Sequence, residues 1–171
     1  NYLAAIAAVD GMVSDEIIRD FARTFGGVEH RIELIRTLDG VRWYNDSIAS
    51  SPSRTIAGLR SFPEKVVLIA GGKDKGISYD SLGPVVNDHV KLLILCGATA
   101  GVIRRAVEQA PNYAGLEIFD VADYEEAAAL ARSRTQPGDV VILSPASTSF
   151  DRFANFMERG RVFKDVVNRL Q

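Results

Sequence analysis

The amino-acid sequence predicts an α/β protein with a mostly parallel β-sheet. Short apolar runs such as Val66–Ala70 and Val140–Leu143 carry no polar residue on either face, which is typical of strands buried between layers of helices. Longer segments with helical spacing of apolar residues separate these runs, and the connections are short. Because strands and helices alternate along the chain, we expect a Rossmann-like sheet flanked by helices.

Two helical segments open the chain. Residues 2–9 are rich in alanine and predict a helix that has no capping residue before it. Ser14 is a suitable N-cap for a second helix, with Asp15 and Glu16 in its first turn, where the helix dipole favours negative charge. We expect these helices to form one unit that ends in a linker at residues 26–29. The uncapped start without methionine suggests the back part of a longer chain.

A β-hairpin is expected next, because Asp39-Gly40 separates two strand-like runs at residues 32–38 and 41–45. The later predicted elements alternate: a helix at 52–62, a strand at 66–70, a helix at 81–89, a strand at 91–96, a helix at 98–109, a strand at 116–119, a helix at 123–133, a strand at 140–143 and a last helix. We expect that last helix to begin near Ser149 or Phe150. Its N-terminus would then offer free N–H groups to an anion.

Composition and charge exclude several classes of protein. Twenty basic and 22 acidic residues are interspersed and give a formal net charge of −2, which argues against the basic face that a nucleic-acid partner requires. No apolar run approaches the ~20 residues of a membrane-spanning helix, and no secretory signal pattern occurs. The single cysteine, Cys96, follows an apolar run and is expected to be a buried free thiol. We therefore expect a cytoplasmic protein.

Polar residues follow four of the predicted strands. In an open parallel sheet, ligands bind outside the carboxyl ends of the strands, so these loops should share one edge. The four loops are Asn-Asp-Ser at 45–47, Gly-Gly-Lys-Asp-Lys-Gly at 71–76, Gly-Ala-Thr at 97–99 and Ser-Pro-Ala-Ser-Thr-Ser at 144–149. Together they supply lysines, aspartates and hydroxyls that suit an anionic substrate and part of a nucleotide.

Each loop taken alone allows a simpler interpretation. Residues 71–76 lack the P-loop pattern and can be a tight turn, while residues 144–149 can serve only to cap a helix. Asp46 can cap a turn. Residues 97–101 do not fit the G-x-G-x-x-G fingerprint, so a nicotinamide dinucleotide is not expected.

Several ordered motifs together resemble the C-terminal domain of the Mur ligases, and in particular the members that add D-glutamate. The motifs are His30-Arg31, Trp-Tyr-Asn-Asp-Ser at 43–47, the Gly-Gly-Lys-Asp-Lys-Gly loop at 71–76, Ser-Pro-Ala-Ser-Thr-Ser-Phe-Asp at 144–151 and Asn-Phe-x-x-Arg-Gly at 155–160. The resemblance covers the whole chain. It implies that residues 1–29 end a central ATP-binding domain and that residues 30–171 form an amino-acid-binding domain.

The resemblance also implies an activity, which is ATP-dependent amide formation in bacterial peptidoglycan synthesis. ATP and Mg²⁺ would convert the carboxylate of UDP-MurNAc-L-Ala to an acyl phosphate, which the amine of D-glutamate attacks. By position, the D-glutamate contacts are Ser50, Lys75, Ser149, Phe150 and Phe156. The ATP contacts are Asn1, Arg31 and Asp46. Catalytic residues and metal ligands would lie outside this chain, so the chain alone is expected to be inactive.

One position departs from the D-glutamate-adding members. Ile48 stands where some of them carry lysine, so one contact to D-glutamate is missing here or comes from Lys73.

The alternatives to a D-glutamate-adding ligase are another Mur ligase, a folylpolyglutamate synthase, or a stand-alone Rossmann-like module that binds a small molecule. The meso-diaminopimelate-adding members carry a DNPR-like stretch, which this sequence lacks. Since no large apolar stripe is left over, a monomer is expected.

Overall fold

A computed structural model describes residues 2–171, with side chains from residue 3 onward. The helices are α1 (Tyr2–Ala8), α2 (Asp15–Thr24), α3 (Pro52–Leu59), α4 (Leu82–His89), α5 (Ala100–Glu108), α6 (Tyr124–Ser133) and α7 (Phe156–Arg169). The strands are β1 (Glu33–Leu38), β2 (Val41–Asn45), β3 (Val66–Ala70), β4 (Val90–Leu95), β5 (Glu117–Asp120) and β6 (Val140–Leu143). The predicted alternation of strands and helices is confirmed.

Six strands form one sheet in the order β1-β2-β6-β3-β4-β5. The β2–β6, β6–β3, β3–β4 and β4–β5 pairs are parallel, while β1 pairs antiparallel with β2. Asp39 and Gly40 both have positive φ, at 48° and 79°, which is the backbone of a type I′ hairpin turn. The predicted mostly parallel sheet with an N-terminal hairpin is therefore confirmed.

Helices cover both faces of the sheet. On one face, α3, α4 and α5 pack against inward residues such as Leu68 and Leu93. On the other face, α6 and α7 pack against Val67, Ile69 and Ile94. Consecutive residues of β3 thus alternate between two hydrophobic cores, which explains why its sequence shows no polar position.

The two N-terminal helices have a separate character. The Ser14 side chain accepts a hydrogen bond from the Ile17 N–H at 3.4 Å, so the predicted N-cap is confirmed. Their apolar residues, including Ile17 and Phe21, line a shallow groove of about 240 Å³ and remain largely exposed. Among the described residues, no helix combines the length and apolar character needed to cross a bilayer.

The last helix begins later than the sequence predicts. It starts at Phe156, where the Asn155 side chain accepts a hydrogen bond from the Glu158 N–H at 2.9 Å. Residues 150–152 instead form a turn, and the Ser149 carbonyl accepts hydrogen bonds from the N–H groups of Arg152 and Phe153. The expectation of a helix start at Ser149 or Phe150 is wrong, because Asn155 caps the helix one and a half turns further on.

Candidate functional site

The loops at the carboxyl ends of the strands are joined by backbone hydrogen bonds. The Ser144 N–H donates to Ile69, and the Gly71 N–H donates to Pro145 at 2.9 Å. Lys73 and Thr148 exchange bonds in an isolated antiparallel bridge, at 2.9 and 3.3 Å. The loops after β3 and β6 therefore form one continuous surface, as the sequence predicts for this edge.

Arg159 is the buried link between the loops after β2 and β6. Its side chain is 1% exposed, and its Nε and Nη2 donate to the Ser47 hydroxyl and carbonyl at 3.0 and 2.8 Å. Its Nη1 donates to the Ser147 carbonyl at 3.0 Å. The sequence shows this arginine in a motif but gives no signal that it is buried, because its acceptors are distant along the chain.

A cluster of hydroxyls holds the turn after β6. The Ser147 hydroxyl lies 2.9 Å from the Tyr79 hydroxyl and 2.8 Å from the Thr99 hydroxyl. Thr99 in turn accepts a hydrogen bond from the Gly72 N–H at 3.1 Å. Ser147 and Thr99 therefore serve as structural residues that fix the loops, and their hydroxyls are largely occupied.

Asp46 is a buried carboxylate at the end of β2. Its Oδ1 accepts a hydrogen bond from the Ile32 N–H at 3.3 Å, and its Oδ2 accepts one from the Ser144 hydroxyl at 2.8 Å. Burial raises the pKa of Asp46 to about 6, although these bonds and the nearby arginines Arg31 and Arg54 oppose the shift. An ionised carboxylate has about four acceptor positions, so two bonds leave capacity for a ligand hydroxyl.

A groove of about 350 Å³ opens beside Asp46. Arg31, Ile48 and Arg54 line it together with Asp46, so two of the three predicted ATP contacts share one cavity. The third, Asn1, lies outside the described residues. The Arg54 guanidinium donates to the Ile48 carbonyl at 3.2 Å and places a second cation at this groove. The arrangement can accept hydroxyl hydrogen bonds at Asp46 and hold an anion between the arginines.

The predicted D-glutamate contacts do not line one enclosed cavity. Lys75 is exposed on the loop after β3, and Phe150 is 61% exposed on the loop after β6. Ser149 is buried, whereas Ser50 and Phe156 are half-buried. The Lys73–Thr148 bridge brings the loops of Lys75 and Ser149 together. None of the five lines the groove beside Asp46, and none lines a second cavity at the same sheet edge, to which Arg159 contributes.

His30 anchors the start of the sheet domain. It is 2% exposed with φ of 65°, and the Asn45 side-chain amide lies 2.8 Å from its Nδ1. Burial lowers the pKa of His30, so the ring is neutral near pH 7. Its ligand atom and those of Glu29 and Glu33 lie within 4.8 Å of one another, but Lys164 already bonds to both carboxylates. The Lys164 ammonium group therefore balances the negative charge of the two carboxylates in this cluster.

Gly160 of α7 is in close contact with His30, so we expect a larger side chain at this position to destabilise the fold. An alanine Cβ there would lie 2.3 Å from His30 Nδ1 and 3.0 Å from Asn45 Nδ2. We expect Gly160→Ala to lower the free energy of unfolding by about 1–3 kcal/mol in urea denaturation, because the ring must leave its site. Gly101→Ala in α5 is the control, since its Cβ meets only Arg105 Nη1 at 3.6 Å. A Gly160→Ala protein as stable as Gly101→Ala would contradict the packing described.

The fold and the loop motifs define a family. A sequence profile described as the Mur ligase, glutamate ligase domain matches residues 30–147, which is more than half of the chain. The chain therefore belongs to the Mur ligase family, and the resemblance seen in the sequence motifs is confirmed.

Relatives at higher identity are ligases that add D-glutamate. The chain is 54% identical over 175 residues to a UDP-N-acetylmuramoylalanine–D-glutamate ligase of Acetivibrio thermocellus, covering 100% of this chain and 38% of the relative. It is 52% identical over 171 residues to the enzyme of the same description from Symbiobacterium thermophilum, covering 99% of this chain and 37% of the relative. The chain thus spans about 38% of the length of the curated relatives it matches.

Solved structures share the fold at lower identity. A MurF ligase from Thermotoga maritima in complex with ADP superimposes with a TM-score of 0.61 at 21% identity, covering 98% of this chain and 37% of that one. A bifunctional folylpolyglutamate synthase/dihydrofolate synthase from Yersinia pestis gives 0.66 at 18% identity, covering 96% and 37%. These similarities establish the fold alone.

Proposed function

We propose that this chain is part of a bacterial cytoplasmic ligase that joins D-glutamate to UDP-MurNAc-L-alanine, with hydrolysis of ATP, in peptidoglycan synthesis. The observation that carries the proposal is the 54% identity to a D-glutamate ligase over the full length of this chain. The fold alone does not separate a Mur ligase from a folylpolyglutamate synthase, since the MurF ligase and the folylpolyglutamate synthase give similar TM-scores. The high identity favours D-glutamate.

The proposed domain boundary is the one that the sequence motifs predict. Residues 1–29 would end the central ATP-binding domain, and residues 30–171 would form the domain that brings the amino acid. The exposed apolar groove of α1 and α2 supports this assignment, because such a surface fits packing against more of the same domain. Catalytic residues and the Mg²⁺ ligands are assigned to the part of the ligase outside this chain. This chain alone would then not form product.

ATP is proposed to reach the groove beside Asp46. The Asp46 carboxylate would accept hydrogen bonds from ribose hydroxyls, and Arg31 would hold a phosphate through charge-assisted bonds. Asn1 is assigned to the adenine side by resemblance. The buried position of Asp46 supports this role, since its bonds to Ile32 and Ser144 fix the orientation of the carboxylate.

D-Glutamate is proposed to bind between the loops after β3 and β6. Lys75 would pair with one carboxylate, while Ser149 and the backbone at Phe150 and Phe156 would hold the other. Ser50 would add a hydroxyl donor. The Lys73–Thr148 bridge supports this site, because it fixes the spacing of the two loops. Since Lys75 is exposed and makes no ion pair within 4.0 Å among residues 2–171, its ammonium group is available to a ligand.

Replacing Lys75 tests the amino-acid site. In a protein that carries this chain at the length of its relatives, we expect Lys75→Ala to raise the KM for D-glutamate about 10- to 100-fold, because one charge-assisted hydrogen bond is lost. The KM for ATP should change by less than about twofold. Steady-state phosphate release, with D-glutamate and ATP varied in turn, provides both values.

Lys73→Ala is the matched control, because Lys73 lies two residues away and is equally exposed. Its contribution to the loop comes from its backbone bonds to Thr148, which alanine keeps. An unchanged KM for D-glutamate in Lys75→Ala would contradict the assignment. A large increase in Lys73→Ala alone would transfer the role to Lys73. Activity with L-glutamate or folate in place of the proposed substrates would contradict the function itself.

A further inference from the structure

A second cavity lies at the same sheet edge, on the side of α6 and α7. Its volume is about 220 Å³, below the ~300 Å³ at which drug-sized sites begin. The strand ends at Gly71, Gly72, Cys96 and Gly97 form one side, and Arg159 contributes its guanidinium. We call this cavity the Arg159 pocket. Its size suits a ligand no larger than an amino acid.

Within residues 2–171, one buried charged residue, Arg159, lines the Arg159 pocket. Burial raises the pKa of the Cys96 thiol to about 11 and raises the pKa of the Tyr124 hydroxyl, so both groups are neutral at pH 7. Among the described residues that line the pocket, Arg159 is therefore the one buried residue that carries a charge. No carboxylate oxygen of residues 2–171 lies within 4.0 Å of its nitrogens. A buried guanidinium without a carboxylate partner is unfavourable unless an anion joins it.

The guanidinium keeps donors for such an anion. Three of its N–H groups donate to oxygens of Ser47 and Ser147. Since a guanidinium has five N–H groups, two remain. Arg159, which lines the pocket, thus carries the charge and has the unused donors that a carboxylate requires.

Among the described residues, Asp151 is the one acid of the pocket lining whose side chain makes neither a hydrogen bond nor an ion pair. Asp123 accepts a hydrogen bond from the Glu126 N–H as the N-cap of α6, and Glu125 pairs with Arg169 at 3.2 Å. The Arg152 guanidinium donates to the Ala122 carbonyl. Asp151 has no ion pair within 4.0 Å among residues 2–171, although it faces the same cavity. Opposite charges therefore face one pocket without contacting each other.

We propose that the Arg159 pocket binds a small zwitterionic amino acid, with its carboxylate on Arg159 and its ammonium group on Asp151. The parallel rings of Tyr124 and Phe153, whose centroids lie 5.9 Å apart, supply an apolar wall for the carbon atoms. The site uses none of the residues assigned above to D-glutamate or ATP. It is therefore independent of the proposed function.

Amide and arginine Nε–H NMR spectra of this chain during titration with glycine test the proposal. Glycine is the smallest zwitterion, while acetate and methylammonium each carry one of its charges. We expect saturable shifts of the Arg159 Nε–H and the Gly72 and Gly97 amides with glycine at millimolar concentrations, and weaker binding of acetate and methylammonium. The absence of shifts at these groups up to about 50 mM glycine would overturn the proposal.

Two aspartate variants test whether the Asp151 charge contributes to glycine binding. Asp151→Asn should weaken glycine binding only about two- to fivefold, because Asp151 is an exposed partner, and it should not weaken acetate binding, because it removes a negative charge from the pocket. Asp165→Asn, an equally exposed acid on α7 outside the pocket, should change neither. Equal glycine affinity in Asp151→Asn and the unmodified chain would overturn the zwitterion assignment. Lys75→Ala should leave glycine binding to the Arg159 pocket intact. A wrong assignment of the D-glutamate site can therefore be distinguished from a wrong assignment of this pocket.

Discussion

Replacing Gly71 with alanine is expected to lower the free energy of unfolding by about 2–6 kcal/mol, as overpacking and backbone strain add. The alanine Cβ would lie 1.9 Å from the Cys96 carbonyl oxygen, a backbone atom that cannot rotate away. Gly71 also has φ of 116°, which an L-residue rarely adopts. Urea denaturation of the variant and the unmodified chain measures the difference.

The neighbouring hydrogen bonds explain why the clash cannot relax cheaply. The Cys96 N–H donates to Ala70 at 3.0 Å, and the Gly71 N–H donates to Pro145 at 2.9 Å. Moving either strand end to admit the Cβ breaks one of these bonds. The same movement displaces the wall of the Arg159 pocket and the loop of Lys75.

Gly115→Ala is the matched control for this prediction. Gly115 has φ of 81°, but a Cβ there meets nothing within 4 Å. Alanine at this position should therefore show backbone strain of about 1–2 kcal/mol without a clash. If Gly71→Ala and Gly115→Ala lower stability equally, the close approach to Cys96 has no energetic consequence and the prediction is wrong.

The sheet could be predicted from the sequence because its signals are local. The central strands β3 and β6 are continuous apolar runs, since helices cover both faces of the sheet. Asp39-Gly40 specified the hairpin because few other dipeptides accept positive φ at both positions. These features depend on neighbours in the sequence, and the structure confirms them.

The features that the sequence did not predict depend on distant residues. The start of the last helix was misplaced because Phe153 has helical spacing to Phe156, yet it stacks on Tyr124 instead. Arg159 was visible as a motif residue, but its burial depends on acceptors at Ser47 and Ser147. The Arg159 pocket exists only because α6 and α7 meet the ends of β3 and β4, which no local pattern encodes.

Asp46 illustrates the same limit at the proposed nucleotide site. The sequence places an acid after β2, but its burial and raised pKa follow from contacts with Ile32 and Ser144. We expect this carboxylate to make the stability of the chain fall as pH rises. The pKa of Asp46 is about 6 in the folded chain and takes the ordinary value of 3.8 when unfolded.

The direction of the effect follows from proton counts. Below about pH 4, both states are protonated and Asp46 contributes no pH dependence. Between about pH 4 and 6, the unfolded chain loses the proton while the folded chain keeps it, so the unfolding free energy decreases with pH. Above about pH 7, where the folded chain has also lost the proton, the loss is complete, at about 3 kcal/mol for a pKa shift of about two units.

Asp46→Asn isolates this contribution. Asparagine can accept the Ile32 N–H bond with its oxygen, and its amide can donate to the Ser144 hydroxyl, which also lies 3.0 Å from the Thr55 hydroxyl. We expect the unfolding free energy of the variant, relative to the unmodified chain, to increase by about 3 kcal/mol from pH 4 to pH 7.5. Other groups with shifted pKa values, His30, Glu33 and Asp139, are present in both chains and cancel.

The control for Asp46→Asn is Asp165→Asn, which removes one surface acid from α7. If it produces the same pH-dependent difference in urea denaturation, the effect belongs to net charge and not to burial of Asp46. If the difference in unfolding free energy between Asp46→Asn and the unmodified chain does not change with pH, the argument is also contradicted.

The identity of residue 46 bears on its role. The buried carboxylate of Asp46 destabilises the fold at neutral pH, whereas asparagine could accept the structural hydrogen bond without a charge. A ligand that donates hydrogen bonds to the carboxylate therefore explains an ionised acid at this position better than a structural role does. The ribose of ATP is the ligand proposed above.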